Sequence, residues 1–370
     1  MIVNLIVIAL ILLIGFHYSR KRNKDNDFNR KRYIKTICFI LILQSGLRNV
    51  AVGTDTYNYF LSFEETKNMS WDRVWQVVID YYKYNLGKDP GFTVLEKVVS
   101  SVFGEYQLFL FIIAILFFTA LGRFIYSNTN QLRGAMVAFV IYSVLFYSFF
   151  SITGHRQTIA TAGTLFAFEF LKKRKLFYFL LIILIASTIH KTSLVFIPLY
   201  FITYLKKPNY YFWIVIALFP ILLLISNSIA LYIFSLTNSY EEYQHMEELR
   251  PITFVCLMLL VSIMALVRYK RIIKLNPEST FYYFALMIGI LFLSLVFAIH
   301  GYMRIVQYFS IFIMLIIPLI LRSFGSSSKK IERLAYFYTI AILLFFFLKS
   351  NMDMRYKFFW QEMRLEEVYL

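Results

Sequence analysis

Apolar runs of roughly fifteen to twenty-five residues, separated by clusters of lysine and arginine, recur from one end of this 370-residue chain to the other. In hydrocarbon each backbone N–H and C=O must find its partner within the segment, so runs of this kind fold as helices. They lie near residues 1 to 18, 34 to 47, 106 to 126, 135 to 152, 157 to 171, 176 to 189, 192 to 205, 212 to 236, 252 to 267, 281 to 299, 305 to 321 and 334 to 348. The reading is an all-α polytopic membrane protein of about 12 transmembrane helices. Composition agrees, with 59% apolar, 19% aromatic and 16% charged residues and a mean hydropathy of +0.64, outside the range of soluble domains. The first run lacks a small-residue cleavage site and its cations follow it, so it reads as a retained helix with its N-terminus outside, not a signal peptide.

The net charge of +17 bears on topology and not on nucleic-acid binding. Alternate connections, those holding Arg20 to Lys35, Arg123 and Arg133, Lys172 to Lys175, Lys206 and Lys207, Arg268 to Lys274, and Arg322 to Arg333, carry 24 of the 38 cations and 5 of the 21 acids. The opposite face keeps 14 cations against 16 acids. The cation-rich side is the cytoplasm by the positive-inside rule, which places both termini outside. Residues 1–370 then form a single integral membrane domain, with an extracytoplasmic loop over 48–107 after the second helix. Within it Asp89-Pro90-Gly91-Phe92, followed by Leu95, Val98, Val99 and Val102 at helical spacing, predicts an amphipathic helix near 92–103 on the membrane surface. Cys38 and Cys256 sit inside apolar runs and support neither a disulfide framework nor a thiolate metal site.

Three consecutive runs, 157 to 171, 176 to 189 and 192 to 205, are short. Fifteen residues make about 21 Å of helix against about 30 Å of hydrocarbon, so their outer tips should lie below the surface and line an outward-facing cavity. Ionisable residues at such depth are costly and mark function. Four places hold them. Arg48 leaves the second span ahead of Gly53, Asp55, Tyr59 and Phe63, where Gly53 allows a tight turn and Asp55 can cap the helix that Tyr59 and Phe63 anchor. Gly154-His155-Arg156-Gln157 starts the fifth span, where an arginine fork and a helix N-terminus both suit a phosphate.

The third place is His190-Lys191-Thr192-Ser193, whose histidine serves either as a general base or as a packed core residue. The fourth is His300-Gly301-Tyr302-Met303-Arg304, continuing to Tyr308. His155, His190 and His300 lack ligand spacing and an accompanying carboxylate, so no zinc site is read from them. Glu241, Glu242, Glu247 and Glu248 around His245 read as solvated surface. Walker, Rossmann and serine-triad patterns are absent, so no nucleotide engine and no cofactor is expected.

These residues resemble the EpsG family of Wzy-like polysaccharide polymerases, bacterial membrane proteins of capsule, O-antigen or exopolysaccharide assembly. The resemblance is carried by Arg48 to Phe63 with its Val-Gly-Thr-Asp core, by Arg156-Gln157 with Ala160, by Ala186-Ser187 to His190 with Ser193, and by Arg304 with Tyr308. It implies a glycosyltransferase of the plasma (inner) membrane that needs no metal. On the outer face the enzyme would move a growing glycan from undecaprenyl or another polyprenyl diphosphate onto a new lipid-linked repeat unit. It also implies that Arg48, Arg156 and Arg304 bind diphosphate and that His190 and Asp55, with Arg156, act in catalysis. Gln157, Tyr308, His155 and Lys191 would support them. The partners implied are the lipid-linked oligosaccharide, the bilayer and a chain-length regulator. Two other readings stay open: a lipid-linked oligosaccharide flippase or exporter, and an O-antigen ligase-type glycosyltransferase. An acyltransferase histidine would face the cytoplasm, opposite to the side expected here.

Overall fold

The computed structural model describes residues 2–20, 26–53, 55–237, 251–325, 328–350 and 356–362. The acidic run around His245 lies outside them, as does part of the Arg20 to Lys35 cluster. Each of the twelve apolar runs is helical, and no strand occurs among the described residues. By length and apolarity, three helices can each cross a membrane, or up to six spans if each of three bent helix pairs counts as one. The other runs form shorter helices, so the expectation of twelve spans stands beyond what helix length shows. The chain divides into two compact units, Met1–Leu194 with Phe337–Leu370, and Val195–Tyr336.

The first unit begins with α1 (Ile2–Arg20) and α2 (Asn26–Gly46). A buried bond from Gln44 Nε2 to Asn4 Oδ1, 2.7 Å long, satisfies two polar groups between them. The segment expected as an outer loop is itself helical: α3 (Thr56–Asn68), α4 (Trp71–Tyr84) and α5 (Pro90–Phe103) precede the long apolar α6 (Tyr106–Asn128). Local chemistry sets these ends. Ser70 caps α4 by accepting from the Arg73 N–H at 3.2 Å, and Asn85 closes it in the left-handed region. Pro90 opens α5, where no N–H is needed, and Gly104 ends it at φ 70°. Residues 92–103, expected as an amphipathic helix, lie within α5.

An aromatic core joins these elements: Phe63 of α3 meets Tyr106 and Phe109 of α6 with ring centroids 5.4 and 5.3 Å apart, and Phe92 of α5 meets Phe109 at 5.8 Å. Next come α7 (Leu132–Ile141), α8 (His155–Lys172) and α9 (Leu176–Ile189). Between α7 and α8 the chain is wound as π-helix over Tyr142–Phe146 and Ser148–Thr153. Near the C-terminus, residues 356–362 return to the end of α2. The Phe359 N–H donates to Leu47 O and the Asn49 N–H to Lys357 O, each at 2.9 Å, while Tyr356 Oη donates to Gln44 O at 2.5 Å.

The second unit holds α10 (Ile197–Ile202), α11 (Pro208–Leu224), α12 (Ser226–Thr237), α13 (Ile252–Val267), α14 (Tyr269–Leu275), α15 (Ser279–Leu295), α16 (Met303–Ser310) and α17 (Ile313–Ser323). α15 is its centre, packed against α11 and α16 and buried along Tyr282–Ile288. Sharp bends divide α11 from α12 (80°), α13 from α14 (77°) and α16 from α17 (53°). A cavity of about 420 Å³ beside the second bend is lined by Asn209, Arg268, Lys270 and Arg271. Helix α18 (Lys329–Ser350) follows.

Candidate active site

The turn between α2 and α3 takes its shape from Gly53, whose φ is 107° and whose missing Cβ would lie 2.4 Å from Ile152 Cγ2. The last carbonyls of the π-wound stretch lack helical donors, and side chains supply them. Ser45 Oγ donates to Ser151 O (3.0 Å), Thr56 Oγ1 to Ile152 O (2.8 Å) and Thr158 Oγ1 to Phe150 O (2.7 Å). Arg48 belongs to this set. It is 2% exposed, and its guanidinium donates to Ser45 O (2.5 Å), Ile152 O (3.4 Å) and His155 Nε2 (2.6 Å). A guanidinium cannot accept, so His155 Nε2 carries the lone pair and the ring proton sits on Nδ1. That nitrogen is 3.5 Å from Tyr106 Oη. His155 is thus a neutral, buried ring, its centroid 4.4 Å from that of Tyr59 with the ring planes tilted by 44°.

A second cluster is centred on Asp89, a residue that sequence reasoning placed only in a turn. Its Oδ2 accepts from Arg156 Nη1 and from His190 Nδ1, each at 3.1 Å, and its Oδ1 accepts from the Lys191 N–H at 3.2 Å. The backbone of Asp89 is left-handed (φ 46°, ψ 59°), which costs a residue with a Cβ about 1 kcal/mol. Three partners for one carboxylate hold it there. The approach of α5 to α9 brings them together: a Cβ on Gly91 would lie 2.4 Å from Thr188 Oγ1 and 2.8 Å from the Thr188 carbonyl carbon. His190 closes α9 in an extended conformation, its N–H donating to Ala186 O at 2.9 Å.

Burial raises the pKa of Asp89, yet the His190 hydrogen bond, the charges of His190 and Arg156 and the Lys191 N–H outweigh it and hold the carboxyl below its ordinary value. The group is a carboxylate at neutral pH. In the neutral form of His190, with Nδ1–H donating to Asp89, Nε2 is the acceptor nitrogen, and it is buried without a hydrogen-bond partner among the described residues. The Arg156 side chain is 30% exposed and lies over the rings of Tyr59 and Phe92, at 5.6 and 5.9 Å. A carboxylate-oriented imidazole with an open nitrogen, beside a partly exposed guanidinium, can move a proton next to a bound anion.

Sequence reasoning also missed Glu96, about two turns beyond Asp89 along α5. Its side chain is fully buried, Oε2 accepts from Ser62 Oγ (3.1 Å) and Thr66 Oγ1 (3.3 Å), and Oε1 has no hydrogen-bond partner among the described residues. Burial pushes its pKa up to about 8, against the hydrogen bonds of Ser62 and Thr66 and the charge of Arg156. It holds its proton at neutral pH. Nothing in its spacing marks either acid, and only their three-dimensional neighbours do.

Other expected residues lie as follows. Asp55 occupies the N-cap position of α3 but is exposed and makes no capping bond, so the anticipated cap is not formed. Gln157 is buried on α8, and Lys191 reaches Asp89 through its backbone while its side chain is exposed. Half-buried Arg304 and buried Tyr308 are on α16, within the second unit.

A sequence model described as the EpsG family matches residues 31–361, most of the chain and both clusters. No curated protein and no solved structure matches it.

Proposed function

The chain belongs to the EpsG family, and from that premise we propose that it polymerises lipid-linked oligosaccharide repeat units on the outer face of a bacterial plasma membrane. Its twelve apolar runs would all span, with both termini and residues 48–107 outside. The observation that supports this reading most directly is the Asp89 carboxylate joining Arg156 to His190.

In the proposed step His190 Nε2 takes the proton of the acceptor hydroxyl. That oxygen bonds to the anomeric carbon of the growing glycan as the bond from this carbon to the diphosphate breaks. The polyprenyl diphosphate leaves with the electron pair, and the bond it gives up supplies the driving energy. Asp89 holds the histidine tautomer and stabilises the imidazolium that forms. Arg156 faces the diphosphate, where a fixed guanidinium in a poorly hydrated site needs no reorganisation as negative charge develops. Arg48, spent on Ser45, Ile152 and His155, acts from behind by fixing the turn that carries Asp55. Asp55 on the acceptor and Arg304 on a diphosphate complete the proposal.

The test is synthesis by purified protein in liposomes given only polyprenyl-diphosphate repeat units. A ladder that lengthens one repeat at a time is expected. Transfer of a finished glycan to a different acceptor would point to a ligase, and relocation of the units without joining to a flippase.

A further inference from the structure

Helix α4 has three distinct faces. At 100° per residue, Trp71, Trp75, Ile79 and Tyr82 fall within an arc of roughly 80°, and they are 42%, 53%, 49% and 64% exposed. Leu86, just past the helix, continues the stripe. The arc on one side, with Val74 fully buried and Val78 half-buried, packs toward α5. The arc on the other carries Asp72, Gln76 and Lys83, all exposed. Such an order, packed face, bare aromatic face, charged face, does not arise from core packing alone. A helix needing only to cover α5 would be polar over the rest of its circumference.

We infer that the Trp71–Tyr82 face of α4 is seated in the lipid headgroup layer, forming with the end of α5 an interfacial ledge on the bilayer. Two observations choose lipid over another occupant. α5, against which α4 packs, likewise exposes Val98, Val102 and Phe103, and α6 begins three residues after Phe103. That helix is long and apolar enough to cross the membrane and exposes Leu108 and Ile115 on one side, so exposed apolar residues recur along the chain from α4 through α5 into a span. The chemistry agrees as well, since tryptophan and tyrosine are the side chains that settle at the water–lipid boundary, and charge flanks them here on one side only.

The ledge has a mechanical consequence, which rests on the function proposed above. Residues 85–89 lead from the end of α4 straight to Asp89, so seating α4 fixes the height of the Asp89 cluster at the level where a lipid diphosphate emerges.

The inference is tested on the full chain in phosphatidylcholine–phosphatidylglycerol vesicles, with nitroxide labels introduced singly by Tyr82→Cys and Gln76→Cys in a Cys256→Ser background. Both positions are exposed, so neither label disturbs packing. Collision with oxygen, which concentrates in lipid, should exceed collision with a water-soluble nickel chelate at position 82, and the ratio should reverse at 76. Equal access of the chelate to both positions would overturn the inference. So would shielding of position 82 from both reagents, which would mean a protein partner or a second copy. Polymer synthesis does not enter the measurement, so its outcome is independent of whether the enzymatic reading holds.

Discussion

Glu96 offers a quantitative test of how the site region is built. Its carboxyl is fully buried between α3 and α5, with Ser62 and Thr66 donating to one oxygen and no described residue donating to the other. In the folded protein its pKa is about 8, against 4.5 for an exposed glutamate. Between these two values the native state keeps a proton that the unfolded chain has lost, so stability falls as pH rises across the window. Below about pH 4.5 the group contributes no loss, and by pH 7 the loss is about 3 kcal/mol, at about 1.4 kcal/mol per pH unit. Glu65 raises the pKa further, while the Arg156 charge lowers it, so the upper end of the window should move to higher pH when the Arg156 charge is removed. Glu96→Gln keeps the shape and an oxygen for Ser62 and Thr66 but does not titrate. Unfolding of detergent-solubilised protein should therefore lose stability from roughly pH 5 to pH 8 in the wild type and stay nearly level in the variant. Parallel profiles would show that Glu96 is ionised or solvated in the native protein and would refute the reasoning.

Four further outcomes are expected. Arg156→Lys should lose most polymer synthesis at normal abundance, because an ammonium cannot reproduce the two-pronged contact of a guanidinium fork with a diphosphate; full synthesis would make Arg156 a mere flanking charge. Asp89→Asn should cost roughly a hundred- to ten-thousand-fold in ladder formation, measured as accumulation of single lipid-linked repeats, since the amide no longer stabilises the imidazolium. Gly91→Ala should separate α5 from Thr188 and reproduce much of that loss without touching an ionisable group; a crosslink between cysteines placed on α5 and α9 that forms as well as in the parent would contradict this. Ladder synthesis should continue in a strong chelator, and abolition of the ladder with restoration by Mg²⁺ would replace the arginine clamp with a metal held near Asp55.

Hydrophobic periodicity located the helices because burial in lipid or protein requires nothing beyond a sufficient apolar run, and all twelve runs are helical. The connecting residues 48–107 were harder. Trp71, Trp75, Val78, Ile79 and Tyr82 carry a helical repeat that was there to be read, but it is interrupted by charge and falls between the strong apolar runs. Individual site residues were legible by type and not by partnership. Arg48 and Arg156 look alike in sequence, each at the mouth of an apolar run, yet one is consumed by Ser45 O, Ile152 O and His155 and the other keeps part of its surface exposed. Asp89 looked like a turn former because Asp-Pro-Gly is a turn sequence, and it is indeed left-handed. Its meaning comes from His190, 101 residues away, which no local pattern encodes.

The pairing of Arg156 with Asp89 also bears on how a single cluster would serve both halves of the proposed transfer. In the free protein the guanidinium and the imidazole share one carboxylate oxygen, so the cluster carries little net charge and is inexpensive to hold at low exposure. A diphosphate brings negative charge that competes with Asp89 for Arg156, because the arginine fork has more donors than the single contact to Asp89 occupies. As Arg156 turns toward the diphosphate, Asp89 is left with His190 and the Lys191 N–H as its remaining partners, and its carboxylate then favours a positive imidazole more strongly. In the proposed reaction, arrival of the donor substrate would thus leave Asp89 to orient and stabilise His190 at the moment a proton must be accepted. On this argument Arg156→Lys and Asp89→Asn are coupled, and the double variant should lose much less than the product of the single losses. Fully multiplicative losses in ladder synthesis would mean that the two side chains act separately and that the shared carboxylate is structural only.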